Sequence, residues 1–553
     1  MIRTFAAHKI RKQTELTGRL WEFCPSSGEH AGEVYPVMTP CCWENIPDLM
    51  NYRGRGVFST TVSAGGNIRL EFKGVSHTAR VFLDGEEIAS HYNAYTAFSA
   101  VLRDVEPGEH RLSIEASNLF GPESALHIPN DYMSYGGVSR PVVLEEIGRV
   151  YVKQLHITPH KTASGWTAEV KVLLENISGT DEKVGISLKV AGESRKTDGV
   201  AVPAHDRAAV QELFRFENVE EWTEKTPSLY YAEAEVSRDG AAEDDLIERF
   251  GFREITVSGK DILLNGEKLK IRGVCRHEDH PQFGCALPPS AMMTDLQWIK
   301  DIGANSVRTA HYPNDEVFLD LCDELGILVW EENHARGLSE QDMCNPNFEP
   351  QAEQVIREMI PLHYNHPCIY IWGILNECAS DTEYGRACYE KQLKLIKELD
   401  STRPTSFASC KFKTDICFDL PDVDSYNIYP LWYHDTDPAE YLDDLYRWIQ
   451  NETGGAGKPF LITEIGAGGI YGYRSHAAVK WTEEYQAQAL KRQIEAVMNY
   501  EDCSGIYIWQ FCDIRISEEW FHTRPRTMNN KGIFDEYRRP KLCYDVVKKA
   551  FRG

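Results

Sequence analysis

Downstream of Gly259 the hydrophobic pattern switches between two periods, and few architectures accommodate that. Short apolar runs at 269–275, 306–312, 327–332, 368–377, 405–410, 423–429, 460–465 and 505–511 are separated by longer stretches. Amphipathic helical patterns such as 314–325, 383–399 and 482–500 fill those gaps. A strand that is apolar along its whole length is buried on both faces, and helix-length crossovers between successive strands make them parallel. Repeated eight times, the unit predicts a (β/α)₈ TIM barrel over 258–553, with its chemistry at the C-terminal ends of the strands.

The upstream half has the other period. Runs at 57–62, 68–72 and 80–83, the last closed by Asp84-Gly85, alternate apolar and polar residues. Antiparallel strands joined by tight turns follow, and a sandwich is expected over 1–148. Strand patterns at 167–174 and 185–190 predict an immunoglobulin-like sandwich over 149–257. Its loops carry no cluster of reactive groups, so it reads as a spacer. The expected class is therefore multidomain, β followed by α/β.

Charge narrows the partners. Lys plus Arg number 59 against 84 Asp plus Glu, a net charge of −25, which repels phosphate and argues against nucleic acid. No stretch approaches the roughly 20 apolar residues that span a bilayer, so no membrane role is expected. The first residues lack the apolar core of a signal peptide, and a cytoplasmic protein is expected. Fifteen cysteines, an odd number without paired spacing, read as reduced thiols.

Polar residues at the strand ends form a short list: Arg276-His277-Glu278 after the first run, Arg308 within the second, Asn376-Glu377 closing the fourth, and Glu464 in the seventh. A lone strand-end glutamate is more often solvated or ion-paired than catalytic. Glu377 and Glu464 each follow a strongly apolar run, where an unemployed charge is costly, and they fall on opposite sides of the barrel mouth. Two such carboxyls about 5 to 5.5 Å apart cleave a glycoside with retention.

Four segments carry a family resemblance: Ile271-Arg272-Gly273-Val274-Cys275-Arg276-His277-Glu278-Asp279-His280-Pro281, Asn305-Ser306-Val307-Arg308-Thr309-Ala310-His311-Tyr312-Pro313, Gly373-Ile374-Leu375-Asn376-Glu377 and Ile462-Thr463-Glu464. With the domain order, they make the chain similar to glycoside hydrolase family 2 over essentially its whole length, and the resemblance implies that the sandwich over 1–148 is a jelly-roll. The resemblance implies Glu377 as acid/base, Glu464 as nucleophile, and Asn376 as the donor to the sugar 2-hydroxyl. Cys275 stands where many relatives carry Asn, a difference expected to alter packing only. A zinc reading of His277 and His280 is disfavoured because they sit on a loop rather than at i, i+4 on a helix. The resemblance makes His277 a substrate hydrogen-bonder, and neither metal nor cofactor is expected. Arg308 is expected to hold Glu464 ionised by lowering its pKa, and Tyr429 to hydrogen-bond the same carboxylate. Trp509 offers an aromatic face to the sugar.

The family includes neutral-sugar hydrolases and uronidases, and a later segment discriminates. In Arg524-Pro525-Arg526-Thr527-Met528-Asn529-Asn530-Lys531-Gly532-Ile533-Phe534, Asn529 and Lys531 resemble the carboxylate-recognising motif of β-glucuronidases, with Arg526 a further expected cation. A buried ammonium against a C6 carboxylate contributes about 1.5–3 kcal/mol, and a neutral sugar leaves it unpaired. Asn427 to Tyr433 resembles the pocket segment that supplies Tyr429, Trp432 and Tyr433, with Pro430-Leu431 departing from the commoner Tyr-Gly. Asp131 matches an aspartate that reaches the sugar from the first domain. Arg336 places another guanidinium at the wall, which favours galacturonate over glucuronate. The expectation is an exo-acting β-uronidase for small uronide conjugates or oligosaccharide ends, with a homo-oligomer implied. The alternatives are a β-galactosidase-like enzyme, or a silent carbohydrate-binding protein, against which the glutamate pair argues.

Overall fold

The alternating runs of the first stretch pair as antiparallel strands. The computed structural model describes residues 2–553. Its first sheet is built on two long strands, Arg55–Phe72 and Phe98–Ser117, paired from Arg55↔Ser117 to Phe72↔Phe98 with irregularities near Gly66. Their inward residues, among them Phe58, Leu70, Phe72 and Ile114, are completely buried. The hairpin of Thr78–Leu83 with Glu86–Tyr92 turns on Asp84 and Gly85, both left-handed, as an Asp-Gly turn favours.

The next stretch forms two sheets. Val150–Thr162, Gly165–Asn176 and Arg207–Phe216 make one; Glu193–Val202, Glu182–Val190, Tyr230–Arg238 and Ala241–Phe250 make the other. Val170, Val172, Ile186 and Leu188 fill the space between them.

A short antiparallel ribbon, Ile255–Ser258 with Asp261–Leu264 and Glu267–Lys268, leads into the barrel, and Ile262 and Leu264 are buried in the barrel core. The eight strands are Ile271–Cys275, Ser306–Thr309, Leu328–Glu332, Ile369–Ile374, Thr405–Phe407, Asp424–Asn427, Phe460–Ile465 and Cys503–Ile508. They pair in parallel in sequence order, and the eighth returns to the first at Ile271↔Gly505. The remaining seam, between strands five and six, is bridged at Ser409↔Tyr426. Crossover helices such as Glu316–Leu325 and Glu383–Leu399 are fixed at their starts, where Asp315 and Thr382 side chains accept from Val317 and Gly385 amides.

Several apolar runs read from the sequence overshoot the ladders at their C-terminal ends. The backbone leaves the sheet there: Leu375 and Glu377 are left-handed, with φ of 46° and 54°. The overshoot residues Glu377, Tyr429 and Trp509 are therefore delivered to the mouth instead of the barrel wall.

The two sandwiches make different contacts with the barrel. From the first, Tyr95, Leu126 and Tyr132 join the barrel core, with Tyr95 stacked on Tyr312 at 3.7 Å between ring centroids. Arg140 donates to Glu278 at 2.8 Å, just past the first strand. The second instead meets the segment leading into strand four, where Arg253 donates to the carbonyls of Pro367 and Ile369. Among the described residues no helix is long and apolar enough to cross a membrane.

Candidate active site

One guanidinium organises the catalytic end. Arg308, on the second strand and wholly buried, donates from Nη1 to Glu464 Oε1 at 2.9 Å and to the Thr463 carbonyl at 3.2 Å. Its Nε and Nη2 form a fork on Glu332, each at 3.0 Å, which fixes its plane. Nη2 also donates to Asn376 Oδ1 at 2.8 Å, and Asn427 Nδ2 donates to the same oxygen at 3.1 Å. With its oxygen doubly engaged, Asn376 is left with an unpartnered Nδ2 donor.

The Tyr429 hydroxyl donates to Glu464 Oε2 at 2.5 Å. Burial and the neighbouring Glu377 nevertheless push the Glu464 carboxyl up to about 7, against Arg308 and Tyr429. The expectation that Arg308 brings this carboxyl below its ordinary value therefore needs correction. The arginine pulls in the expected direction, but desolvation and the second carboxylate outweigh it.

Glu377 faces the same cavity, which measures about 180 Å³ and is also lined by Asp131, Arg336, Tyr429, Tyr433, Trp509 and Lys531. Asn427 Nδ2 donates to Glu377 Oε1 at 3.0 Å, and Arg336 Nη2 lies 3.6 Å from Oε2. The acid/base candidate thus has amide and guanidinium neighbours, with its side chain still partly open to the cavity.

At the recognition end, Lys531 is buried with its Nζ 3.0 Å from the Tyr433 hydroxyl. The ammonium lies 5.6, 5.8 and 5.2 Å from the ring centroids of Tyr429, Trp432 and Tyr433. Among the described residues no carboxylate pairs with it at ion-pair distance. Against the effect of burial, Lys531 and Arg524 draw the Tyr433 hydroxyl below its ordinary pKa.

Asp131 arrives from the first sandwich on a segment tied to the loop after strand eight, where the Ser517 hydroxyl donates to the Tyr132 carbonyl. It accepts from Asn529 Nδ2 and Arg524 Nη2, both at 3.2 Å, and Arg336 Nη2 lies 3.4 Å away. Although burial opposes it, these guanidiniums hold the Asp131 carboxyl well below the usual range.

Some expected residues stand elsewhere. Arg526 lies outside the cavity: it is left-handed (φ 60°) and its Nη2 pairs with Glu536 at 2.6 Å. Arg524, two residues earlier, points inward instead. His277 is not in the cavity lining; it meets Trp509 edge-on at 5.4 Å, with Nδ1 3.1 Å from the Tyr312 hydroxyl and Nε2 unpartnered. Burial keeps it neutral. His280 Nδ1 accepts the Gln282 amide, and its ring stacks on Phe283. Trp432 floors the lysine and packs against Trp481.

Sequence reading passed over Glu332, His311, Asn427 and Arg524. Glu332 also takes the Trp330 Nε1 donor at 2.9 Å and lies 2.8 Å from His311 Nδ1. It ends a buried apolar run, the same signal that selected Glu464.

Two carboxyls facing one cavity at the C-terminal mouth of a (β/α)₈ barrel, one clamped by arginine and tyrosine and the other held by an amide, define a glycoside hydrolase. The chain belongs to glycoside hydrolase family 2: the profile "Glycosyl hydrolases family 2, TIM barrel domain" matches residues 255–553, and "Glycosyl hydrolases family 2" matches residues 150–253. A β-galacturonidase of the family from Eisenbergiella tayi, solved bound to galacturonate, is 58% identical, with a TM-score of 0.98 over 100% of this chain and 99% of that one. A β-glucuronidase of Streptococcus agalactiae is 28% identical over 89% of this chain and 86% of its own length. The β-D-glucuronidase of Dictyoglomus thermophilum, 24% identical with a TM-score of 0.86, covers 100% of this chain and 99% of its own and shares the fold.

Proposed function

We propose that this protein is a retaining exo-β-uronidase that prefers galacturonides. The observation that carries the reading is Lys531: a buried ammonium with an aromatic floor and no carboxylate partner among the described residues. Burying such a charge unpaired is costly, so the site is complete only with an anionic sugar against it. Asn529 donates to Asp131, which lines the same cavity as Lys531.

In the reaction, Glu464 attacks the anomeric carbon while Glu377 delivers a proton to the departing oxygen. Glu377 then takes a proton from water, which opens the glycosyl ester and frees Glu464 with net retention. The unpartnered Nδ2 of Asn376 suits the 2-hydroxyl. Arg308 and Tyr429 hold the Glu464 anion.

Galacturonide preference is supported by the 58% identical β-galacturonidase and by Arg336, which stands between Asp131 and Glu377. The test is kcat/KM on nitrophenyl β-galacturonide, β-glucuronide and β-galactoside at one pH. Galacturonide is expected to exceed glucuronide, and both to exceed galactoside by at least roughly 10²-fold. A preference for galactoside overturns the uronidase reading, and a glucuronide preference overturns only the finer one.

A further inference from the structure

Cys42 and Cys285 are 243 residues apart in sequence, and their sulfurs are 3.5 Å apart. Cys42 belongs to the first sandwich, in the short strand Cys41–Cys42 paired with Gly137–Val138. Cys285 belongs to the loop that follows the first barrel strand and the His277 segment. The close approach is built into the chain: Gly284 is left-handed (φ +57°), and a Cβ there would meet the Cys42 sulfur at 2.8 Å and the Tyr135 ring at 3.0 Å. Met133 and Tyr135 pack around Cys42 on its other sides. Cys42 is buried, whereas Cys285 is partly exposed on a loop whose Pro281 and Gln282 face solvent.

We propose that Cys42 and Cys285 form a reversible dithiol–disulfide site that cross-links the first sandwich to the barrel. A disulfide needs the sulfurs to close to about 2.05 Å. That movement falls to the partly exposed Cys285 loop, because Cys42 is buried in a paired strand against Met133 and Tyr135. The oxidant is a small-molecule disulfide. Cys285, the accessible thiol, loses its proton and attacks one sulfur, giving a mixed disulfide and one thiolate. Cys42 then loses its proton, attacks the Cys285 sulfur and expels the second thiolate. The two protons end on the two released thiols, so two cysteine thiols are oxidised and one small disulfide is reduced. Burial pushes the Cys42 thiol up, which fits its role as the second, resolving partner.

The cross-link bears on the segment that carries Asp131. Residues 130–138 run from Asp131 into the ladder with Cys41 and Cys42, and the Tyr135 hydroxyl already donates to Asp279 Oδ2 at 2.8 Å. Oxidation adds a covalent tie between that segment's ladder partner and the barrel loop. The cross-link does not depend on which sugar the enzyme takes.

The experiment incubates the intact protein with oxidised glutathione, blocks the remaining thiols, and maps peptides by mass spectrometry beside thermal unfolding. Expected are a Cys42–Cys285 linked peptide, two fewer free thiols, and an unfolding temperature raised by roughly 3–8 °C. A dithiol reductant is expected to reverse all three. Cys285→Ser, a change at a partly exposed position outside the sugar cavity, removes the linked peptide and the temperature shift together. Glutathione adducts at the exposed Cys344 or Cys410 with no linked peptide overturn the proposal. So does a linked peptide that leaves unfolding unchanged.

Discussion

Glu464 and Lys531 are both buried charges lining one cavity, and they are treated in opposite ways. Around Glu464 the protein supplies Arg308 and Tyr429 as direct donors. Around Lys531 it supplies a phenol oxygen and three aromatic rings, and among the described residues no carboxylate at ion-pair distance, Asp131 acting on it only from farther away. The first charge is given its direct donors before substrate arrives, because the proposed nucleophile has to be held in place at the moment of attack. The second is left for the substrate to finish, because specificity comes from what a wrong ligand leaves unpaired. Changes at the Glu464 end should therefore cost rate on every substrate, and changes at the Lys531 end should cost rate on acidic sugars alone.

The largest expected effect is Glu464→Gln, which keeps the shape and removes the nucleophile. A loss of at least roughly 10⁴-fold in kcat is expected on uronide and neutral substrates alike. A variant retaining a tenth of wild-type kcat ends the nucleophile assignment. Next is Lys531→Met, expected to lower kcat/KM on uronides by roughly 10²-fold or more while changing the galactoside rate less than about threefold. Equal losses on both substrates would collapse the contrast between the two ends, because they make Lys531 part of the general scaffold.

Tyr429→Phe is expected to be milder, about 10- to 100-fold in kcat/KM, and its diagnostic is the pH profile. Glu464 has to be ionised to attack, so kcat/KM falls as pH drops through its pKa, near 7 in the free enzyme. Removing the phenol donor takes away one of the groups that favour the anion. The acid limb should move to higher pH, whereas in Lys531→Met measured on galactoside it should stay where it is. An unshifted limb in Tyr429→Phe removes the tyrosine from the control of Glu464.

The scaffold was legible in the sequence for the same reason that the strand ends were blurred. Doubly buried parallel strands read as continuous apolar runs, so all eight stood out, but the runs continued past the ladder into residues such as Glu377 and Tyr429 that leave it. Glu377 and Tyr429 sit in that overshoot, whereas Glu464 stays within its strand, Phe460–Ile465. The choice between Arg524 and Arg526 was not legible. It depends on two successive left-handed residues, Arg526 and Thr527, and neither type announces that conformation as glycine does. Glu332 was legible and passed over: it closes a buried run just as Glu464 does, but as the second of two glutamates at the strand end, and only the fork from Arg308 distinguishes it from Glu331, which meets His363 instead.

The smallest expected effect concerns stability. A site built to keep Glu464 buried beside a second carboxylate does so at the expense of the fold. Its pKa is raised from 4.5 to about 7 on folding, so the native state holds that proton more tightly than the unfolded chain. The contribution to stability is then greatest below about pH 4.5, declines as pH rises through the window up to about 7, and above that leaves a penalty on the order of 3 kcal/mol. Glu464→Gln cannot ionise and escapes the penalty. Its unfolding temperature should exceed that of wild type by a few degrees at pH 8, and the gap should narrow steadily as pH is lowered toward 5. The same measurement on Lys531→Met provides the contrast, since an ammonium left unpaired in the free enzyme should also destabilise the fold, but by an amount that does not follow the carboxyl titration. A gap for Glu464→Gln that is flat with pH would mean that the carboxyl is ionised in the empty site without penalty, satisfied by the protein alone.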